Sequence, residues 1–366
     1  MQPYRVGIVG ATGMVGQRFT LLLEHHPWFQ VTCLAASARS AGKTYREAVE
    51  GRWAFKDRPI PANVADMTVL DASQVEEVSS RVDFVFCAVD MKKDEIRALE
   101  ERYARAETPV VSNNSANRGV SDVPMLIPEI NGSHAAVIEA QRKRLGTQNG
   151  FIAVKPNCSI QSYVPALWPL LDFEPKRVMV CTYQAISGAG KTFKTWPEMV
   201  DNVIPYIAGE DEKSELEPLK LWGHVEERAD GPVIVNATSP TISAQCLRVA
   251  ASDGHMAAVS VSFKNKPSME EIIRRWNSFE TEPQRLELPS APKPFLQYFD
   301  DPSRPQTRLD RDFQGGFGVS IGRLREDHIF DYRFVCLSHN TVRGAAGGGI
   351  LTAELLCRKG YIQRRG

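Results

Sequence analysis

The residue best suited to covalent chemistry is Cys158, in the segment KPNCS at positions 155–159. The turn-forming residues before it and the run 160–164 after it predict a helix that begins at the cysteine. Unpaired amide groups and the dipole at a helix N-terminus favour a thiolate, and they can hold an oxyanion on a carbonyl bonded to the sulfur. The other six cysteines lie in or beside apolar runs, where cysteine is usually a small packing residue. Cys158 is therefore the predicted nucleophile, and an ordinary turn cysteine is the alternative.

Two basic residues in the second half of the chain could complete a site around this thiol. His255 follows a turn and precedes a strand in AASDGHM, and a histidine can take a proton from a thiol and return one to an intermediate. Arg248, seven residues earlier, could clamp a carboxylate with two parallel hydrogen bonds. The alternatives are a structural histidine and a surface salt bridge.

Further charged residues could bind the polar groups of a small substrate. Glu210 and Lys213 are three apart, so on a helix they share one face and could bind an ammonium and an anion. Arg118 follows a strand of the first half near its carboxyl end, where open α/β sheets bind ligands, and with Asn117 it could hold a phosphate. A solvated charged turn is the alternative for the first pair.

A glycine-rich loop, GATGMVG at 10–16, follows the predicted strand 4–9 and opens the predicted helix 17–25. Glycines in this context allow a tight turn and the close approach of a pyrophosphate to the helix N-terminus. The alternative is a strand-to-helix turn without a ligand. The predicted cofactor-binding residues of this loop are Gly10, Thr12, Gly13, Met14 and Val15.

The end of the second strand, 31–36, discriminates between cofactors. An NAD site usually has an acidic residue there for the ribose diol, but this chain has Ser37, Arg39 and Ser40. These side chains could bind a 2′-phosphate, so the sequence predicts NADP. A solvated loop with an incidental arginine is the alternative.

Composition restricts the class of protein. The chain has 366 residues, enough for two domains, with 44 basic and 44 acidic residues. Zero net charge disfavours a nucleic-acid partner, and no apolar run reaches the length of a membrane span. Seven cysteines, mostly in core-like runs, and a beginning unlike a signal peptide suit a reducing, cytoplasmic location. The cysteine and histidine spacings suggest no metal site.

Strand and helix patterns alternate in the first part of the chain. The apolar strand 83–89, the helix 94–106 and the strand 109–112 predict an α/β domain with parallel strands and right-handed crossovers. Beyond about residue 175 the strands are spaced farther apart, which predicts an α+β domain with a largely antiparallel sheet, a helix at 269–279 and an extended loop at 288–308. The expected domains are 1–157 and 158–340, with a terminal helix in 341–366 docking back on the first.

The motifs together resemble the archaeal and fungal branch of the aspartate-semialdehyde dehydrogenase family. The resemblance runs nearly end to end through GATGMVGQRF, SARSAGK, VPMLIPEIN, PNCS, QAISGAG, DNVIPYIAGEDEK, RVAASDGH, LPSAP, RPQTRLDR and HNTVRGAAG. It implies a fold like that of glyceraldehyde-3-phosphate dehydrogenase, with a Rossmann NADP-binding domain and an α+β catalytic domain that forms a homodimer or homotetramer.

The resemblance also implies roles for individual residues. Cys158 would form the acyl-enzyme and His255 would be the acid/base. The other implied contacts are Arg248 with the substrate carboxylate, Glu210 with its amino group, Lys213, Arg118 and Asn117 with phosphate, and Ser187, Gly188 and Asn340 with the cofactor. The implied reaction is the NADPH-dependent reductive dephosphorylation of aspartyl phosphate to aspartate semialdehyde, towards lysine, threonine and methionine.

Three departures from the family pattern leave alternatives open. SGAG continues into the lysine-containing loop 191–196, Ser162 stands where a smaller residue is usual, and Gly347, Gly348 and Gly349 resemble archaeal malonyl-CoA reductase. That enzyme, which reduces a thioester by the same cysteine chemistry, is one alternative. A non-catalytic NADP-binding regulator is a more remote one, because it would not need Cys158, His255 and Arg248 together.

Overall fold

A computed structural model describes residues 2–365, which form two large β-sheets and the helices packed on them. The first part of the chain alternates strands and helices as the sequence predicts. Its elements are β1 (Tyr4–Val9), α1 (Met14–Leu23), β2 (Phe29–Ala36), α2 (Tyr45–Ala48), α3 (Ala62–Ala65), β3 (Val69–Asp71), α4 (Val75–Ser80), β4 (Phe84–Cys87), α5 (Lys93–Arg105), β5 (Val110–Ser112), α6 (Pro128–Asn131), a 3₁₀ helix (Gly132–Val137), α7 (Ile138–Leu145) and β6 (Ile152–Val154).

The first sheet has six parallel strands in the order β3-β2-β1-β4-β5-β6, which is the doubly wound Rossmann arrangement. This confirms the predicted α/β class. Strand β4 is buried throughout, because helices cover both faces of a parallel sheet. The sequence analysis missed β3 and β6, which are three residues each and too short to show a periodicity.

The remaining elements form the second domain and the C-terminal helix. They are a 3₁₀ helix (Ser159–Gln161), α8 (Tyr163–Leu167), a 3₁₀ helix (Trp168–Phe173), β7 (Pro175–Gln184), 3₁₀ helices (Ile186–Ala189 and Pro197–Met199), β8 (Val203–Ile204), α9 (Glu210–Leu221), β9 (His224–Glu226), β10 (Val233–Val235), β11 (Thr241–Val249), β12 (His255–Phe263), α10 (Met269–Asn277), α11 (Glu282–Arg285), β13 (Leu296–Phe299), α12 (Thr307–Asp310), a kinked turn (Phe313–Gly316), β14 (Val319–Glu326), β15 (Tyr332–Ser338), a π-helical turn (Val342–Ala346) and α13 (Gly347–Arg358).

The second sheet is mixed, with seven strands in the order β13-β14-β15-β12-β7-β11-β8. Most neighbouring strands are antiparallel, as predicted, but β11 runs parallel to β7 and β13 runs parallel to β14. The predicted extended loop 288–308 therefore contains a strand. The short strand β10 pairs with β9 outside the large sheet.

The terminal helix α13 packs on the first sheet. Ile350, Ala353 and Leu356 are buried in one apolar cluster with Phe19 and Phe86. Burying a large aliphatic side chain contributes roughly 1.5–3 kcal/mol, so this helix adds substantially to the stability of the first domain. The terminal helix predicted within 341–366 begins as a regular α-helix at Gly347, because the backbone angles of Ala345 interrupt the turn before it. No helix within residues 2–365 is long and apolar enough to cross a membrane.

Candidate active site

The nucleophile loop leaves β6 and turns at Asn157. The side-chain oxygen of Asn157 accepts hydrogen bonds from the amide (2.7 Å) and the hydroxyl (2.9 Å) of Ser159. Its backbone amide donates to Glu217 Oε2 at 2.6 Å. Cys158 has helical angles (φ −70°, ψ −29°) directly before the 3₁₀ helix. The predicted helix start is present, although its first turn is 3₁₀ rather than α.

The surroundings of Cys158 do not by themselves favour its thiolate. Burial raises the pKa of the Cys158 thiol, and the Glu210 carboxylate raises it further. Lys155, Arg118 and Arg248 lower this pKa without overcoming burial. Desolvation of the anion therefore opposes the thiolate that the helix start is predicted to favour.

Three strand ends of the mixed sheet bring polar side chains together beside this loop. Gln184 ends β7 and pairs in register with Arg248 near the end of β11. His255 begins β12, which runs antiparallel to β7 and pairs Met256 with Tyr183. Gln184, Arg248 and His255 are all buried, although 64 residues separate Gln184 from Arg248 in the chain.

His255 is held as a neutral ring. Burial and the neighbouring Arg248 lower its pKa to about 3. The Ala185 amide donates to Nδ1 at 3.1 Å, so the neutral ring carries its proton on Nε2. That Nε2 has no hydrogen-bond partner within residues 2–365. Of the two predicted roles, a proton on Nε2 fits return of a proton to an intermediate, whereas acceptance of the thiol proton at Nε2 would need the other tautomer.

Arg248 presents a guanidinium without an ion pair among residues 2–365. Nη1 donates to the Ala185 carbonyl at 2.8 Å, and burial lowers the pKa of the group. A Cβ atom on Gly188 would lie 2.9 Å from both Arg248 Nη1 and His255 Nε2. A glycine at position 188 therefore leaves room beside these two donors.

Helix α9 begins at Glu210, whose carboxylate collects three donors. Oε1 accepts from Asn157 Nδ2 (2.9 Å) and from Lys213 Nζ (2.8 Å), and Oε2 accepts from Gln184 Nε2 (3.1 Å). Burial opposes ionisation of Glu210, but Lys213 and the two amides together keep its pKa below the ordinary value. The predicted shared face of Glu210 and Lys213 is present, and it adjoins the nucleophile loop.

Arg118 and Asn117 have separate partners. Arg118 Nη1 donates to Glu217 Oε1 at 2.8 Å, and Nη2 donates to the Asn113 carbonyl at 3.1 Å. Asn117 is buried and its Nδ2 donates to Glu100 Oε2 at 2.7 Å. The structure thus brings Arg118 to the cysteine loop through Glu217. One N–H of Asn117 Nδ2 is thus held by Glu100, and the predicted phosphate contact, which would use the second N–H, stays a prediction.

The glycine loop borders a cavity of about 520 Å³ at the carboxyl ends of the first sheet. Gly10 has φ +92°, and a Cβ atom there would lie 2.3 Å from the Ala88 carbonyl oxygen. The turn therefore needs glycine at position 10, and the cavity lies where an open α/β sheet binds its ligands. The predicted residues that line it are Gly10, Thr12, Gly13, Ser37 and Arg39.

Ser40 does not line this cavity. It is buried and its amide donates to the Ser37 carbonyl at 2.8 Å, so it shapes the loop instead. Val15 also lies outside the lining. Arg52, which the sequence analysis missed, supplies a second arginine beside Arg39.

A second cavity of about 360 Å³ lies between the two domains. Met14 contributes from the first domain, and Ser187 contributes from the second. Asn340 Nδ2 donates to Ser187 Oγ at 2.8 Å, and its Oδ1 accepts from the Gly254 amide at 2.8 Å. Asn340 therefore ties the loop after β7 to the turn before β12.

Three site residues gave no usable signal in the sequence. Gln184 ends an apolar strand, Glu217 lies on a charged helix, and Lys155 precedes a proline. Each is buried, and their importance becomes visible through the partners that folding brings to them.

Comparison with family models and curated proteins shows what the sequence of this chain is similar to. A family model for the semialdehyde dehydrogenase NAD-binding domain matches residues 5–138, and one for the dimerisation domain matches residues 167–343. The chain is 42% identical to aspartate-semialdehyde dehydrogenase of Aspergillus fumigatus, covering 98% of both chains, and 41% identical to that of Archaeoglobus fulgidus, covering 98% and 99%.

The chain belongs to the aspartate-semialdehyde dehydrogenase family. A crystal structure of the Candida albicans enzyme with NADP superposes with a TM-score of 0.87 at 37% identity, covering 99% of this chain and 100% of that one. The Vibrio cholerae enzyme II complexed with ASA has a TM-score of 0.73 at 25% identity, covering 98% and 99%. The resemblance inferred from the motifs is confirmed, as is the branch with fungal and archaeal members.

The three departures from the family pattern have different structural settings. Lys191 in the loop 191–196 lines the second cavity. Ser162 is fully buried, in agreement with a packing variation. A Cβ atom on Gly348 would lie 2.3 Å from the Arg343 carbonyl oxygen, so this glycine is required by the close approach of α13 to the π-helical turn.

Proposed function

We propose that this protein is an NADP-dependent, phosphorylating aspartate-semialdehyde dehydrogenase. The observation that carries the proposal is the convergence of Cys158, Arg248 and Glu210, whose charges act on one another, in a chain whose glycine loop borders a separate cavity of about 520 Å³. A thiol, a free guanidinium and a carboxylate match the acyl carbon, the α-carboxylate and the α-ammonium of aspartyl phosphate. The relatives at 41–42% identity bear the same enzyme name.

The reaction divides between this chain and its cofactor. The Cys158 thiolate attacks the acyl carbon of aspartyl phosphate, a C–S bond forms, and the C–O bond to phosphate breaks. NADPH, when bound, would supply the hydride for reduction of the resulting thioester. Breaking of the C–S bond then releases aspartate semialdehyde and regenerates the thiolate, and phosphorolysis of the thioester accounts for the reverse direction.

The remaining site residues bind and orient the substrate. Arg248 meets the α-carboxylate, and Glu210 meets the α-ammonium. The Nε2–H of His255 donates to the oxyanion that forms when the carbonyl is attacked. Lys213 and Arg118 supply positive charge for the phosphate. The product serves the aspartate pathway towards lysine, threonine and methionine.

The loop after β2 supports NADP as the cofactor. Arg39 and Ser37 border the first cavity, and Arg52 adds a second cation there. No acidic residue follows β2 directly, where an NAD site would bind the ribose diol. The pyrophosphate would lie against the glycine loop, and the nicotinamide would lie towards Ser187, Gly188 and Asn340.

A homodimer formed through the mixed sheet is the expected assembly, and a homotetramer is the alternative. The dimerisation-domain model covers this part of the chain. Met179 and Tyr183 on β7 are half-exposed, and the adjacent Cys181 and Met256 are partly exposed. This face of the sheet is apolar enough to bury against a second copy. All seven cysteines are free thiols, which favours a reducing, cytoplasmic location.

The domain division at 1–157 and 158–340 remains the preferred one, with 341–366 returning to the first domain. The parallel sheet ends at β6 and the mixed sheet begins at β7. The packing of α13 on Phe19 and Phe86 supports the return of the tail.

Reduction of malonyl-CoA is the competing function, because it uses the same cysteine chemistry. Glu210 argues against it, since malonyl-CoA has no ammonium for this carboxylate. A non-catalytic regulator would not need the convergence of Cys158 with Arg248. The deciding assay measures NADP reduction with aspartate semialdehyde and phosphate beside NADPH oxidation with malonyl-CoA.

The matched variant for this assay is Cys158→Ala. It should abolish turnover while leaving NADP affinity unchanged, and mass spectrometry of the trapped wild-type enzyme should locate the acyl adduct on Cys158. Turnover in the alanine variant, or greater activity of the wild-type enzyme with malonyl-CoA, would contradict the proposal.

A further inference from the structure

Lys155 is a buried cation that the mechanism above does not use. Its side chain is 2% exposed, and within residues 2–365 it forms no ion pair. Its Nζ donates to one acceptor, the carbonyl of the adjacent Pro156. A lysine ammonium has three donors, and burying such a charge without partners is costly.

Lys220 shows how this fold satisfies a lysine with a structural role. It is 5% exposed, and its Nζ donates to the carbonyls of Arg118 (2.7 Å), Val120 (2.6 Å) and Val123 (2.9 Å). All three donors of Lys220 are used to hold one loop. The two lysines are similarly buried, so the incomplete set of partners of Lys155 calls for a different explanation.

The position of Lys155 connects it with the nucleophile. It precedes Cys158 by three residues, and both side chains pack against the segment 344–348. A Cβ atom on Gly348 would lie 3.8 Å from Lys155 Cδ, and one on Gly344 would lie 2.8 Å from Cys158 Cβ. Among the cations that lower the pKa of Cys158, Lys155 has the largest effect.

The charged groups around Lys155 come from several elements. Burial, followed by Arg118 in the loop after β5, lowers the pKa of Lys155 to about 7. Arg343 in the π-helical turn acts in the same direction, whereas Cys158 and Glu217 of α9 raise it. Of these neighbours, Glu217 already accepts from Arg118, so the thiolate is the anion left for Lys155.

We propose that Lys155 is a positioning residue for the nucleophile, whose ammonium stabilises the Cys158 thiolate so that the two groups titrate as a pair. The inference rests on the proposed function, in that Cys158 is the nucleophile. The Lys155 ammonium stabilises the thiolate by its charge. The neutral His255 does not do this, and its Nε2 already carries a proton and so cannot accept one from the thiol.

The test is the rate at which iodoacetamide alkylates Cys158 in the full-length protein across about pH 5–10, with the adduct located by mass spectrometry. Lys155→Met keeps the length of the side chain and removes the charge. We expect it to lower the alkylation rate at neutral pH about tenfold, because the thiol pKa rises by about one unit. Lys220→Met is the matched control and should leave the midpoint of the profile at its wild-type position.

Identical profiles for wild type and Lys155→Met would overturn the proposal, as would an equal shift in Lys220→Met. If Lys155→Met does not fold, NMR titration of labelled lysine in the wild-type protein and in Cys158→Ser tests the same coupling. Because the coupling is reciprocal, the pKa of Lys155 should be about one unit lower in Cys158→Ser than in the wild-type protein. An unchanged pKa of Lys155 would contradict the coupling. Alkylation of Cys158 does not require turnover. A wild-type protein that is inactive on aspartate semialdehyde would therefore contradict the proposed function, while the alkylation profiles would still test the role of Lys155.

Discussion

Replacing Arg248 with lysine should lower kcat/KM for aspartate semialdehyde by about 13- to 160-fold. Arg248 is 6% exposed, and Nη1 is held by the Ala185 carbonyl at 2.8 Å. The guanidinium has five N–H donors, so one bond to Ala185 leaves a second edge for a carboxylate. A lysine concentrates its donors on one nitrogen and cannot serve both partners with this geometry. Losing one charge-assisted hydrogen bond costs about 1.5–3 kcal/mol, which gives this range.

The assay measures kcat and KM for aspartate semialdehyde at saturating NADP and phosphate, with NADP affinity determined separately by titration. NADP affinity should not change, because Arg39 and the glycine loop that border the cofactor cavity belong to the first domain. Arg46→Lys is the matched control, since Arg46 lies on the surface in an exposed ion pair with Asp66. Wild-type kcat/KM in Arg248→Lys would mean that the carboxylate binds elsewhere, and it would favour the malonyl-CoA alternative again.

Three further outcomes are expected. Arg39→Ala should raise the dissociation constant for NADP about tenfold, because one charged contact is lost, and it should leave the dissociation constant for NAD unchanged. Equal effects on both cofactors would show that Arg39 does not bind the 2′-phosphate. In the folded protein the pKa values of His255 and His339 are about 3 and about 4, below the ordinary 6.5. The unfolded chain therefore binds protons at higher pH than the folded chain does, and the free energy of unfolding falls as the pH falls below about 6.5. Urea unfolding should therefore give a free energy about 2–3 kcal/mol lower at about pH 5.5 than at about pH 7.5, and a constant value would contradict the neutral, buried state of both rings. Gly348→Ala should destabilise the fold by about 1–3 kcal/mol, because the added Cβ would lie 2.3 Å from a carbonyl oxygen. Gly119→Ala is the control and should not destabilise the fold, because the added Cβ would have no atom within 4 Å. Equal melting temperatures for the two variants would refute this packing argument.

The features predicted correctly from the sequence depend on local requirements. The turn after β1 needs glycine at position 10 because of its positive φ and the nearby Ala88 carbonyl, and both constraints leave a mark in the sequence. Cys158 stands out because its neighbours form a turn and a helix start rather than an apolar strand. The alternation of apolar strands and amphipathic helices likewise predicts the parallel sheet.

The differences from the sequence-based expectations concern residues whose surroundings exist only in the folded chain. Asn117 is a predicted phosphate ligand, and folding gives one of its N–H groups to Glu100 on α5. Ser40 looked like a cofactor ligand, but the turn of its own loop buries it. β11 and β14 were missed because each contains several polar residues among its apolar ones, and pairing with β7 and β15 defines them as strands.

The sequence by itself determined the family and the fold class, and it predicted the nucleophile and the dinucleotide loop, because the short segments that carry these features are under strong local constraints. Only the tertiary structure decided the protonation chemistry. Whether Cys158 is a thiol, which nitrogen of His255 carries the proton and whether Lys155 has a partner depend on burial and on charges brought from α9, β11 and the π-helical turn. The electrostatic free energy of a group depends on its surroundings in space, and those surroundings exist only once the chain has folded.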